Sequence, residues 1–142
     1  MKKNYLISFI VFLLLVVSGI ARAEKPFAPE KLQGTIRVDA EAAAELIVNT
    51  PSLLVVDARK EVEYSKGHIQ GSVSLLDTEM TLEKLSKHAP DKSTPILFYC
   101  NGERCLRSSR AAAKALEWDY KLIYWFRGGW NEWVDKGMPI SR

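Results

Sequence analysis

A chain of 142 residues, 47% apolar and 26% charged with 8 Gly and 6 Pro, is long enough for one buried core and too short for two ordinary enzyme domains. That composition excludes a disordered chain, a collagen repeat and a coiled coil. The formal charge of +3 comes from Lys2, Lys3 and Arg22; without them the chain carries 17 basic and 17 acidic residues, which removes the electrostatic case for a nucleic-acid partner.

Lys2 and Lys3 precede an apolar run over residues 5–17, followed by Ser18, Gly19 and the triplet Ala21-Arg22-Ala23. A charged start, an apolar centre and a small-x-small end make a secretory signal peptide over residues 1–23. The apolar stretch 6–20 falls short of the ~20 residues that span a bilayer. Cleavage is expected after Ala23, leaving a periplasmic protein with no membrane attachment. Residues 24–34 contain Pro26 and Pro29 and no apolar periodicity, so they read as an N-terminal tail before a domain over residues 35–142.

Within that domain Ile36 and Val38 alternate as in a strand, and Asp39 is placed to cap a helix carried by Ala43, Leu46 and Ile47. Residues 53–56 are continuously apolar, the mark of a strand buried on both faces of a parallel sheet, and they end in Asp57-Ala58-Arg59. A short helix over 61–66, a turn over 67–71 between two glycines, a strand over 73–76 and a helix over 78–88 follow. Residues 95–99 form the strongest strand and run directly into Cys100. A helix over 108–118 presents Ala111, Ala112, Ala115 and Leu116, small enough to sit close on a sheet. The last strand is expected over 122–126, and Gly128-Gly129 opens a final helix with Trp130 and Trp133. This alternation predicts an α/β fold, a parallel sheet of about five strands with helices on both faces. Reactive groups in such sheets collect at the carboxyl ends of the strands.

The chemistry concentrates in Cys100-Asn101-Gly102-Glu103-Arg104-Cys105-Leu106-Arg107-Ser108-Ser109, a strand end, a loop and a helix start. A thiol at that point faces loop amides and the positive end of a helix dipole, both of which favour thiolate; Cys100 is therefore the candidate nucleophile. Arg104, Arg107 and Arg110 suit an anionic substrate, and Glu103 opposes them. Cys100 and Cys105 are the chain's 2 cysteines. A disulfide between them closes too short a loop to remove much unfolded-state entropy, so reactivity is the first reading. Cys105 remains open between a resolving thiol, a partner in a resting disulfide and a packing side chain. Asp57 and Arg59 read as structural support and His68 as a turn residue. Two histidines and two cysteines at these spacings match no structural zinc pattern.

Three separated stretches, in order, resemble the single-domain rhodaneses. These are residues 55–59 with residues 63–73, the Tyr99-Cys100-Asn101-Gly102 stretch, and Gly128-Gly129-Trp130 with Trp133 and Gly137-Met138-Pro139. The resemblance implies ping-pong sulfur transfer: Cys100 takes the outer sulfur of thiosulfate as a persulfide and passes it to cyanide or another thiophilic acceptor. It implies no metal or organic cofactor, and loop residues Asn101, Gly102, Glu103, Arg104, Cys105, Leu106 and Arg107 wrapped around the persulfide. One departure stands out. The family's arginine-serine pair follows its cysteine by about five residues, whereas Arg107 follows Cys100 by seven, so this loop is two residues longer. Six residues between Cys100 and Arg107 also disagree with the five of related phosphatases. Rival readings are a thiol-disulfide protein using both cysteines and a binding module without catalysis.

Overall fold

The computed structural model describes residues 23–142; the expected leader, apart from Ala23, lies outside the described residues. The chain runs β1 (Thr35–Val38), α1 (Ala40–Asn49), β2 (Leu54–Asp57), α2 (Glu61–Tyr64), β3 (His68–Ile69), β4 (Val73–Ser74), α3 (Leu82–His88), β5 (Ile96–Tyr99), α4 (Arg107–Glu117), β6 (Ile123–Phe126), α5 (Gly129–Asp135) and β7 (Ile140–Ser141). Five strands form one sheet in the order β1-β6-β5-β2-β4, every neighbouring pair parallel. Local chemistry sets the helix starts. The Asp39 carboxylate accepts the Ala42 N–H at 2.9 Å, and the Thr81 hydroxyl accepts the Lys84 N–H at 3.2 Å, each satisfying a donor that the first turn leaves unpaired.

All four residues of β5 are buried, because it lies between β2 and β6 with helices above and below. Alternation along the strand sends Ile96 and Phe98 into a core with Ala111, Ala112 and Ala115 of α4. Leu97 and Tyr99 enter the opposite core with Ala40 and Ala43 of α1 and Trp133 of α5. Cys100 continues this alternation and lies with Phe98 on the α4 side. In register, Asp57 stands beside Tyr99 and Tyr99 beside Phe126. The loops that follow β2, β5 and β6 therefore leave the sheet at one edge.

Two local readings change. Residues 67–71, expected as a turn, contain β3, which pairs antiparallel with β7 through His68↔Ser141 and Ile69↔Ile140. Two-residue strands joined across most of the domain carry no local periodicity, so neither was visible in the sequence. The helix expected over 78–88 begins at Leu82; the preceding residues turn so that Met80, 2% exposed, fills the core. The tail is also more than a lead-in: Ala28 is 3% exposed, and its N–H donates to the Glu103 carbonyl at 2.6 Å.

Candidate active site

A buried ion pair supports the edge where these loops emerge. The Arg59 guanidinium donates to the Asp57 carboxylate at 2.7 Å and to the Gly67 carbonyl at 2.7 Å. The Tyr99 hydroxyl donates to the same carboxylate at 2.6 Å. Charges this deeply placed persist only when their hydrogen bonds are complete. Trp130 covers Arg59, its ring centroid 4.5 Å from the guanidinium carbon. The root of the loop after β5 is held from two sides. The N–H groups of Trp130 and Asn131 donate to the Cys100 and Asn101 carbonyls at 2.8 and 2.9 Å. Gly129, at φ +55°, is the residue that permits this approach, since a Cβ there would collide with the Cys100 carbonyl. On the other side Glu63 accepts from the Asn101 amide at 2.7 Å and from Arg107 at 3.1 Å. Burial pushes the Glu63 carboxyl up, but Asn101, the Lys60 N–H and the charges of Arg107 and Arg59 outweigh it and hold it below the usual carboxylate range.

The two cysteines are both free thiols, and their environments are opposite. Cys100 is 1% exposed. Its Sγ donates toward the Cys105 carbonyl and the Ser108 hydroxyl oxygen, each at 3.2 Å, and the same hydroxyl oxygen accepts from the Trp125 indole N–H at 3.0 Å. Burial pushes the Cys100 thiol strongly up, and its interaction with Cys105 adds to that. Cys105 is half-buried. The neighbouring Cys100 thiol lowers the Cys105 pKa; burial opposes this, and the backbone of Arg107 and Asn101 with the Arg107 charge leaves it below the ordinary thiol range.

Cys100, expected as the nucleophile, lies at the buried end of β5, and Cys105 lies nearer the surface of the loop. Cys100 continues the inward parity of β5, so its sulfur points beneath α4 rather than into the loop. Backbone groups favour the ionised form of both sulfurs, Ser108 at Cys100 and Arg107 with Asn101 at Cys105. The remaining site residues divide. Asn101, Arg104, Cys105, Leu106 and Arg107 line one cleft of about 520 Å3, joined by Arg110, Lys25 and Pro26. Gly102 is buried, and its carbonyl accepts the Cys105 N–H at 2.9 Å. Glu103 turns away to pair with Arg127 at 2.6 Å, so it does not oppose the arginines at the cleft. Glu63, Ser108, Arg127 and the tail residues were missed. Of these, Glu63 stood within a motif stretch and Ser108 within the loop stretch; Arg127 and the tail residues act across long sequence separations.

A model of the rhodanese-like domain matches residues 39–136. The chain belongs to the rhodanese-like domain family. Among curated proteins it is 25% identical over 114 residues to the uncharacterized protein YibN of Escherichia coli strain K12, covering 80% of this chain and 78% of that one. It is 27% identical over 103 residues to a protein named sulfurtransferase from Allochromatium vinosum, covering 72% of this chain and 92% of the relative. Among solved structures, a thiosulfate sulfurtransferase from Pseudomonas aeruginosa superposes with a TM-score of 0.67 at 24% identity, over 76% of this chain and 20% of that one. That likeness is one of fold. The five-stranded parallel sheet is the architecture these structures share.

In this rhodanese-like domain the cleft combines a half-buried sulfur with cationic walls, a setting that favours negative charge on sulfur. Among the described residues no group of three or more His, Cys, Asp or Glu side chains is placed to hold a metal ion, and no helix is long and apolar enough to cross a membrane. The depressed pKa makes a testable claim. Since the thiolate is the reactive form and the Cys105 pKa is lowered, alkylation of Cys105 by neutral iodoacetamide should reach its half-maximum below the ~8.5 of an unperturbed thiol and fall away at lower pH. A half-maximum near the ~8.5 of an unperturbed thiol would contradict this, measured by mass on the Cys105 peptide across a pH series.

Proposed function

We propose that this rhodanese-like protein is a sulfurtransferase that moves sulfane sulfur from thiosulfate or a similar anionic donor to cyanide or a thiol acceptor, through a persulfide on Cys105. The supporting observation is the contrast between the sulfurs. Cys105 lines a cationic cleft, whereas Cys100 lies inside the core. The family and the name of the Allochromatium vinosum relative support the coarser reading of a sulfurtransferase. The leader pattern in the sequence supports a periplasmic setting.

The steps balance without a cofactor. The Cys105 thiolate attacks the outer sulfur of thiosulfate; the sulfur–sulfur bond of the donor breaks, and sulfite leaves with its electron pair. Cys105 is left as a persulfide anion held by the Asn101 and Arg107 N–H groups. Cyanide then attacks the outer sulfur, thiocyanate departs, and the thiolate returns. Cys100 does not exchange bonds in this cycle. In this reading its thiol supports the loop by donating to the Cys105 carbonyl and the Ser108 hydroxyl.

Two free cysteines in one loop also support a second reading, reversible disulfide exchange. Intact-mass measurement after reduction and thiosulfate treatment separates the readings. The expected result is one added sulfur that cyanide removes, present in Cys100→Ser and absent in Cys105→Ser. Loss of two hydrogens with no added sulfur would favour disulfide exchange. No change at all in the reduced protein would leave a non-catalytic binding module as the better reading.

A further inference from the structure

The residues ahead of the first strand form an arm laid against the active-site loop. Arg127, 4% exposed, sits between the two. Its guanidinium donates to the Ala28 and Pro29 carbonyls of the arm, each at 3.0 Å, and pairs with Glu103 of the loop at 2.6 Å. The backbone closes the same junction, the Ala28 N–H donating to the Glu103 carbonyl at 2.6 Å. At the surface the Arg104 guanidinium lies 4.0 Å from the centroid of the Phe27 ring, a cation–π contact, and donates to the Lys25 carbonyl at 3.4 Å. Arm and loop are thus tied together both beneath and above the cleft.

The cleft's charges show what this does. Of its four cations, Arg107 is paired with Glu63 at 3.1 Å and Arg110 with Asp77 at 3.5 Å. Lys25 and Arg104 make no ion pair among the described residues, and both line the cleft with Cys105. Lys25 belongs to the arm, and Arg104 is braced by it. The uncompensated positive charge at the reacting sulfur is therefore supplied or positioned by a segment outside the sheet and its connecting loops. At about 520 Å3 the cleft falls in the ~300–1,000 Å3 range of small-molecule sites, and the arm makes one of its walls through Lys25 and Pro26.

We propose that residues 25–30 are the specificity-determining wall of this site, with Lys25 and the Phe27-braced Arg104 as the pair that draws anionic donors to Cys105. This rests on the reading that Cys105 is the reacting thiol. Opposite charge near a cleft raises the local concentration of an anion, so the arm selects by charge before any bond is exchanged. Neutral reagents gain nothing from it.

The test compares alkylation of Cys105 by anionic iodoacetate and neutral iodoacetamide in the purified protein, read by mass on the Cys105 peptide and independent of sulfur transfer. Lys25→Glu is expected to lower the iodoacetate-to-iodoacetamide rate ratio by about five-fold at low salt, an effect that shrinks in high salt. Phe27→Ala should lower the ratio in the same direction by releasing Arg104. Lys31→Glu, exposed and outside the cleft, should leave it unchanged. An unchanged ratio in Lys25→Glu with normal iodoacetamide reactivity overturns the arm's role alone, as does an equal fall in Lys31→Glu. Failure of both reagents to reach Cys105 in the unmodified protein overturns the assignment of Cys105 and, with it, this inference.

Discussion

Cys105→Ser is expected to lower kcat/KM for thiosulfate-dependent sulfur transfer by at least about 10³-fold, whereas Cys100→Ser should lower it by less than about ten-fold. The asymmetry follows from where each sulfur lies. A persulfide must be reached by two reagents in turn, and a side chain that is 1% exposed, with Phe98 and the alanines of α4 around it, admits neither. Serine at position 105 cannot carry a sulfane sulfur. Serine at position 100 still has an O–H to donate toward the Cys105 carbonyl and the Ser108 hydroxyl, so most of the support for the loop survives. Rates of thiocyanate formation for folded protein, verified by circular dichroism, decide the matter. Near-complete loss in Cys100→Ser with activity retained in Cys105→Ser would reverse the assignment and require the loop to reopen around the buried thiol.

The second large effect concerns stability. Arg59→Met should destabilise the fold by about 3–5 kcal/mol, because it leaves the Asp57 carboxylate buried without its ion partner. Asp57 is 0% and Arg59 2% exposed, so water cannot compensate either charge. The Gly67 carbonyl loses its donor as well, and the ring of Trp130 loses the cation it covers. Asp57→Asn combined with Arg59→Met should cost less than the sum of the single changes, since removing both charges removes the stranded one. Urea denaturation of the two single variants and the double variant measures this. A loss under about 1 kcal/mol for Arg59→Met, the size typical of exposed pairs, would show that the pair contributes little to holding the edge of the sheet.

Much of the architecture was legible because its signals are local. The apolar runs at residues 53–56 and 95–99 marked the buried parallel strands, Asp39 marked a helix start, and small residues at Ala111, Ala112 and Ala115 marked a helix packed close to the sheet. The antiparallel pairing of β3 with β7 was not legible, since each strand is two residues long and its partner lies far along the chain. The same distinction divides the site. A cysteine at the end of the strongest strand located the loop correctly, and its two extra residues signalled a departure from the family pattern. Which cysteine faces solvent had only a faint signal. Ile96, Phe98 and Cys100 share one parity, but that parity becomes burial only when α4 lies over the strand end.

By itself, then, the order of residues determined the alternation of strands and helices, the edge at which chemistry gathers and the two sulfurs available for it. Each depends on contacts within a few residues along the chain. Tertiary packing decided the rest: the burial of Cys100 beneath α4, the cationic cleft at Cys105, and the docking of residues 25–30 through Arg127, about a hundred positions away. Burial and charge compensation belong to whatever neighbours folding supplies, and no sequence period encodes a neighbour that distant.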